Sequence, residues 1–572
     1  MARISGDAFA RVVPDLAVND LTLVDGPVGS GKTAELVRRA ARAVSEGRDV
    51  LVVCATRVAA DDFARRVDKR GGRPGGGGRV RCATPWELAR GILARLDARR
   101  VLLPHEAALM PEDLDRLAIR PERLRQMLKF FERSWADLAD WNPSWLVTHE
   151  ERALNDAIGA WQEQMGGRLA ARVVPDALDL LRKDAGLRAS VQHSTVMIDD
   201  ADLLTRAEQV LAVTCCADEL VVAGDGGGAC ALLSDYACAA GVDELAGQNP
   251  GACRVGLAVA GGEALATPAP GVTDARDAYA RDRASFGLLD AVHGGGRVFA
   301  DGLVRTFKTP AEEFDAAART VRQWLESGIA PRDILVVAQH PTWRANLEIA
   351  LRAAGVAVCV LPETGVGTPG NQTHGERARA LSMLRLLGDP GDEVARRAGV
   401  RLPEGFAQDL VGDDILCAIA EQAAGARQAP RLAAFLRQAC VPVEGACARE
   451  LASNLDENAW LARFGNDDAV RICEARRAWG LEPAACLVAG CMEGFLPSGA
   501  VLEATLLPAN IRERIFHAEM RAVSALKAHS ARFACSATSE MPLELAERLG
   551  LEVGRIVAKG QRKVALLRTT SF

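Results

Sequence analysis

Gly26-Pro27-Val28-Gly29-Ser30-Gly31-Lys32-Thr33 spells G-x-x-x-x-G-K-T, a spacing that lets a backbone wrap its N–H groups around phosphate oxygens. Gly26, Gly29 and Gly31 permit the wrap around Ser30, Lys32 brings a point charge to the β and γ phosphates, and Thr33 offers a hydroxyl to a divalent cation. The implied ligand is ATP with Mg2+. Further along, Asp199-Asp200 follows the apolar run Thr195-Val196-Met197-Ile198. At a strand end beside the phosphate loop, Asp199 would hold magnesium and Asp200 would orient the attacking water. Taken alone, such a pair is also an ordinary strand-end turn.

Both motifs need strand ends to carry them. Short apolar runs at 21–24, 50–54, 195–198, 220–223, 334–338, 486–489 and 533–536 alternate with longer helical patterns, which predicts an α/β fold with parallel sheets. The runs fall into two groups on either side of a Gly/Ala/Pro-rich passage at 251–296, so two α/β cores in tandem are expected. Residues 93–189 and 365–466 lack strand patterning and read as mainly helical insertions, one in each core. The predicted division is 1–92 with 190–295, interrupted by 93–189, followed by 296–364 with 467–572, interrupted by 365–466. The glycine-rich stretch 70–78 reads as a flexible loop, and no internal repeat is visible.

A chain of 572 residues exceeds one hydrophobic core, and 49 % hydrophobic with 25 % charged residues is an ordinary globular composition. The net charge of -6 offers no global attraction to nucleic acid, so any DNA contact must be local. Neither a leader-like segment nor a run long enough to span a bilayer is present, and a cytoplasmic protein without membrane partners is expected. The 15 cysteines include no C-x-x-C pair. They are read as reduced thiols in the core.

Taken in order, the motifs resemble the UvrD/PcrA/Rep-type superfamily 1 DNA helicases along nearly the whole chain. After the phosphate loop, VVCATRVAADDFARRV at 52–67 is similar to the family's T-N-K-A-A-x-E-M-x-x-R-V segment, and RCATPWELA at 81–89 stands where the family has T-F-H-S-x-A. Asp199-Asp200 takes the place of Asp-Glu, and VAGD at 222–225 that of V-G-D. Later, GLE at 480–482, LVAG at 487–490 and EGFLP at 493–497 resemble K-G-L-E-F, V-x-L-x-G and E-G-x-x-P. The resemblance implies two RecA-like cores closing on ATP, with Glu482 at the nucleotide sugar and Arg344 and Arg521 contacting phosphate from the second core.

The departures fall on chemistry rather than bulk. The family's γ-phosphate-sensing glutamine would fall near Gly228, Asp200 is one methylene shorter than glutamate, Ala55 replaces a base-stacking aromatic, and Ala522 aligns with the last motif's arginine. The expected activity is therefore ATP-dependent translocation or unwinding on single-stranded DNA in repair or recombination, with weakened hydrolysis. The alternative is a non-motor subunit that binds ATP or DNA as a scaffold among partner subunits of a repair or recombination complex. Only about 35 residues follow Ser536, with no nuclease carboxylate pattern, so a fused nuclease is not expected.

Local DNA contact has two candidate regions. Arg65, Arg66, Lys69, Arg70, Arg73, Arg79 and Arg81 with Trp86 read either as a DNA groove or as a solvated basic loop. The basic stretch from Arg116 to Trp135 carries Phe130, Phe131 and Trp135, which are read as core residues of an amphipathic helix.

Overall fold

The computed structural model describes residues 16–26, 30–70, 78–96, 99–114, 119–224, 236–238, 240–257, 300–307, 309–360, 372–397, 402–426, 429–440, 445–453, 455, 469–478, 481, 483–492, 495–496, 519, 522–523, 526, 530–538, 541–542, 555–559 and 562–566.

The fold is α/β and contains two six-stranded sheets, each parallel throughout. The first consists of β1 (Asp20–Asp25), β2 (Val50–Val53), β3 (Val80–Ala83), β4 (His193–Ile198), β5 (Cys216–Gly224) and β6 (Cys253–Gly256), ordered β3-β2-β4-β5-β1-β6. The second consists of β7 (Ala300–Phe307), β8 (Ile334–Ala338), β9 (Val358–Val360), β10 (Val470–Cys473), β11 (Ala485–Ala489) and β12 (Arg532–Thr538), ordered β9-β10-β8-β11-β12-β7. Parallel strands covered on both faces read as continuous apolar runs, and β2, β8 and β11 are buried at every position. Successive side chains point to opposite faces. Leu51 and Val53 accordingly join one hydrophobic cluster while Val50 and Val52 join another.

Helix starts around the first sheet are set by local chemistry. Helix α1 (Lys32–Ser45) begins after Gly31, whose φ of 89° is a left-handed conformation that costs a glycine nothing. Thr56 caps α2 (Arg57–Lys69) by accepting from Ala59 N–H. A reciprocal capping box between Thr84 and Glu87, with Pro85 in the first turn, starts α3 (Pro85–Leu93).

Between β3 and β4 the chain is mainly helical, including α4 (Pro121–Ala136), α5 (His149–Gln164) and α6 (Val173–Lys183), plus a two-residue ladder joining Arg100–Val101 to Gly167–Arg168. Phe131 and Trp135 are buried in its core, as expected from the amphipathic spacing. Between β9 and β10 lie α7 (Gln372–Gly388), α8 (Asp413–Ala424) and α9 (Ala429–Cys440). These two helical segments are tied together. Arg385 Nη1 donates to both oxygens of the fully buried Glu106 at 2.7 and 2.6 Å, Arg100 pairs with Asp392 at 2.9 Å, and Arg397 pairs with Asp113. A three-stranded antiparallel sheet forms from Met541–Pro542, Arg555–Lys559 and Arg562–Leu566. No disulfide occurs among the described cysteines, and many of them are buried. Among the described residues no helix is long and apolar enough to cross a membrane.

Candidate functional site

Because the first sheet is parallel, β1, β2, β4 and β5 deliver their carboxyl ends to one edge, where open α/β sheets bind ligands. The segments after β1 and β4 meet there. Thr33 Oγ1, in the first turn of α1, donates to Asp199 Oδ1 at 3.1 Å across 166 positions of sequence. Lys32 is buried, and its Nζ donates to the Gly26 carbonyl at 2.7 Å. Gly26 is needed for close approach, since a Cβ there would stand 2.4 Å from Ser30 Oγ and 2.7 Å from the Leu257 carbonyl. Gly29 lies outside the described residues.

Two features mark this edge as a place for charge. Ser30 Oγ is buried with no hydrogen-bond partner among the described residues, which leaves it available to a polar ligand or a water. Asp199 is buried, and that burial, reinforced by the neighbouring Asp200 carboxylate, pushes its carboxyl up to about 7 against the opposing pull of Thr33, Lys32 and Arg66. A divalent cation would favour the ionised form. Among the described residues no group of three or more His, Cys, Asp or Glu could hold a metal. A magnesium held by Thr33 and Asp199 would need most of its ligands from phosphate oxygens and water, and two hard oxygen donors from the protein are compatible with that.

Asp200 has φ 50° and ψ 50°, a left-handed backbone that aspartate tolerates better than most residues. It is only partly buried. Such conformations cost energy and cluster at functional sites.

The second-sheet candidates fare differently. Arg344 is buried, and its Nη1 donates to the carbonyls of Ala338 at 3.0 Å and Gln339 at 2.6 Å, fastening the end of β8. Glu482 and Arg521 lie outside the described residues, as do Gly228, Gly480 and Arg73. Leu481 is buried in a cluster that also holds Val58 and Leu203 from the first sheet's side.

Arg65 and Arg66, read either as part of a DNA groove or as a solvated basic loop, lie on α2 beside acidic partners. Arg65 pairs with Asp62 and, at 3.0 Å, with Asp333, while Arg66 Nε lies 3.8 Å from Asp62 and is pulled downward in pKa by burial. Asp62 supplies the negative partner that the basic count overlooked. Lys69, Arg70, Arg79 and Arg81 are exposed, and Trp86 packs against the first sheet's core.

Sequence reasoning assigned no role to Glu313, although the Glu312-Glu313-Phe314 stretch resembles the family's approach to its fourth motif. Fully buried, this carboxylate accepts from Gly490 N–H at 2.8 Å, Ser536 Oγ at 2.7 Å, Thr538 Oγ1 at 2.6 Å and Trp343 Nε1 at 3.3 Å. It lies in the first turn of the helix Pro310–Glu326, where an acidic residue reads as a helix-dipole partner, and its donors come from the end of β11, from β12 and from the helix Pro341–Ala353 that carries Trp343. No protein-family model matches the chain, and no curated protein matches it.

Proposed function

We propose that the chain is an ATP- and Mg2+-binding, UvrD-like protein of two RecA-like cores in tandem that acts on single-stranded DNA in repair or recombination. The observation that carries this reading is the bond between Thr33 Oγ1 and Asp199 Oδ1, which brings both candidate magnesium ligands together beside Lys32. Lys32 neutralises the β and γ phosphates, Thr33 and Asp199 hold magnesium, and Asp200 orients water. Magnesium supplies charge neutralisation on the transferred phosphoryl group. Glu482 and Arg521 keep their proposed roles at the sugar and phosphates by resemblance alone. The mixed cluster of Leu481, Val58 and Leu203 supports two cores that meet beside this edge.

A second reading, a non-motor subunit that binds ATP or DNA as a scaffold within a larger complex, is favoured by Arg344. Its guanidinium is committed to backbone carbonyls, and the shorter Asp200 reaches less far toward a water. ATP hydrolysis measured with and without single-stranded DNA separates the two. A motor shows DNA-stimulated turnover that Lys32→Ala abolishes, with ATP affinity lowered about 30-fold or more, the equivalent of about 2 kcal/mol from a lost charged contact. If Asp200→Glu combined with Gly228→Gln also leaves turnover at the Lys32→Ala baseline, the motor reading fails. Equal ATP affinity in wild type and Lys32→Ala would overturn the site itself.

A further inference from the structure

The helical segment between β3 and β4 contains a cavity of about 360 Å3 bordered by α4, α5 and the start of α6, at the small end of the range for ligand sites. Trp135, Asp140, Trp145, Asn155, Gln162 and Arg172 line it. Its polar groups are partly spoken for. Arg172 Nη1 donates to Asp140 Oδ2 at 2.6 Å and Arg172 Nη2 lies 2.6 Å from Asp176, with the guanidinium 5.2 Å from the Trp135 ring centre. Gln162 uses its oxygen to accept from Leu169 N–H at 2.8 Å, leaving its NH2 as a donor.

Two observations set the cavity apart from a packing gap. Asp140 Oδ1 is buried and has no hydrogen-bond partner on another described residue; beyond Arg172 only its own backbone N–H serves the carboxylate among the described residues, and burial raises the carboxyl above its ordinary range, so a further donor would favour the ionised form. Gly159, in the interior of α5, also lines the cavity, and a Cβ built there would meet nothing within 4 Å. Its backbone does not require glycine, and a helix-interior glycine costs about 0.5–1 kcal/mol relative to alanine. What glycine does provide is an open wall, and local rules broken without structural need point to function.

We propose that this cavity binds a guanine base. The guanidinium charge of Arg172 is already shared by Asp140 and Asp176, and Glu163 adds a third carboxylate to the lining, so the interior disfavours an anion and suits a ligand that offers N–H donors. Asp140 Oδ1 needs an N–H donor, and the Gln162 NH2 needs an acceptor. Guanine carries N1–H and N2–H2 donors beside its O6 acceptor, and extruded bases are read through that edge. Arg99, exposed at the border, places positive charge outside the base, where the backbone of a nucleotide or strand would lie. The base can come from a free nucleoside or from a single strand; only the second source rests on the DNA reading above.

Calorimetry on the full chain with deoxyguanosine, deoxyinosine and deoxyadenosine tests the cavity without engaging the phosphate loop, since nucleosides carry no phosphate. Deoxyguanosine should bind, and deoxyinosine, which lacks the N2 amine, should bind at least about 10-fold more weakly, the equivalent of about 1.4 kcal/mol. Gly159→Leu should abolish the binding while melting no lower than wild type, and Gly159→Ala serves as the fold control if leucine proves too large. Equal affinity for the three nucleosides, no binding at all, or undiminished binding by a folded Gly159→Leu protein would overturn the proposal. In parallel, oligothymidylate with one central guanine is compared with the same strand carrying inosine. Deoxyguanosine binding without any strand binding supports the cavity and overturns the DNA reading. Strand binding that ignores both the guanine and Gly159→Leu, with no nucleoside binding, overturns the cavity and leaves the DNA reading standing.

Discussion

Arg65 Nη1 on α2 lies 3.0 Å from Asp333 Oδ1, in the turn that leads into β8, so an ion pair bridges the two halves of the molecule. Both side chains are about one-quarter exposed, which puts the pair between the weak surface regime and the costly buried one. A double-mutant cycle of Arg65→Ala and Asp333→Ala should give a coupling of about 0.5–1.5 kcal/mol by denaturant unfolding. A coupling indistinguishable from zero would mean the pair does not hold the halves together in solution.

Glu313 is a harsher test of the second half. Truncation to alanine strands the Gly490 N–H, the Ser536 and Thr538 hydroxyls and the Trp343 indole, all of which now donate to its carboxylate. Glu313→Ala should cost about 3–5 kcal/mol and Glu313→Gln clearly less, because the amide keeps one accepting oxygen. Denaturation midpoints of the three proteins decide it; equal loss in both variants would show that charge, not hydrogen bonding, is what the site requires.

The pH dependence of α1 follows from Glu35. Hydrogen bonds from Arg38, with Arg39 adding to them against the cost of burial, hold its carboxyl down at about 2. A folded-state value below the ordinary one means stability that is fully present above about pH 4.5 and is lost as the pH falls toward 2. Arg38 is half exposed, so solvent screening limits the benefit to about 1 kcal/mol or less. Glu35→Gln should therefore destabilise slightly at pH 7 and not at pH 2, where partial acid unfolding is followed by circular dichroism.

Thiol chemistry should sort by burial. Burial pushes Cys82 and Cys215 up to about 12 and also raises Cys54 and Cys486 well above the ordinary thiol range, so little thiolate exists at pH 8. Cys253 and Cys447 are exposed. Among the described cysteines, iodoacetamide at pH 8 should modify these two first, with Cys54 and Cys486 protected until denaturant is added, as read by peptide mass spectrometry. Early modification of Cys54 would place the interior of the first sheet in contact with solvent.

How much of this was readable beforehand depended on whether a signal was local. All seven expected strand runs fall at observed strands, because buried parallel strands must be continuously apolar. Other strands escaped notice for equally physical reasons: β10 carries the buried Arg471 in its middle, and β3 alternates with the exposed Arg81. Thr33 and Asp199 could be paired from the sequence because the G-x-x-x-x-G-K-T motif led to the expectation of an acidic strand end nearby, and the two side chains do meet. Glu313, the Asp62–Arg65–Asp333 chain and the commitment of Arg344 to strand-end carbonyls could not, because each depends on partners brought in by tertiary folding.

Glu106 and its buried partner Arg385 stand 279 positions apart. At synthesis rates of about 5–20 residues per second, the intervening chain takes on the order of 15–60 s to emerge. Throughout that interval a carboxylate destined for complete burial has only its local partners, the Arg100 guanidinium at 3.3 Å and the Leu103 N–H at 2.8 Å, and lacks the two closer bonds from Arg385. The helical segment between β3 and β4 reaches its final packing only once the later helices arrive, so its completion is timed by the ribosome as well as by its own sequence.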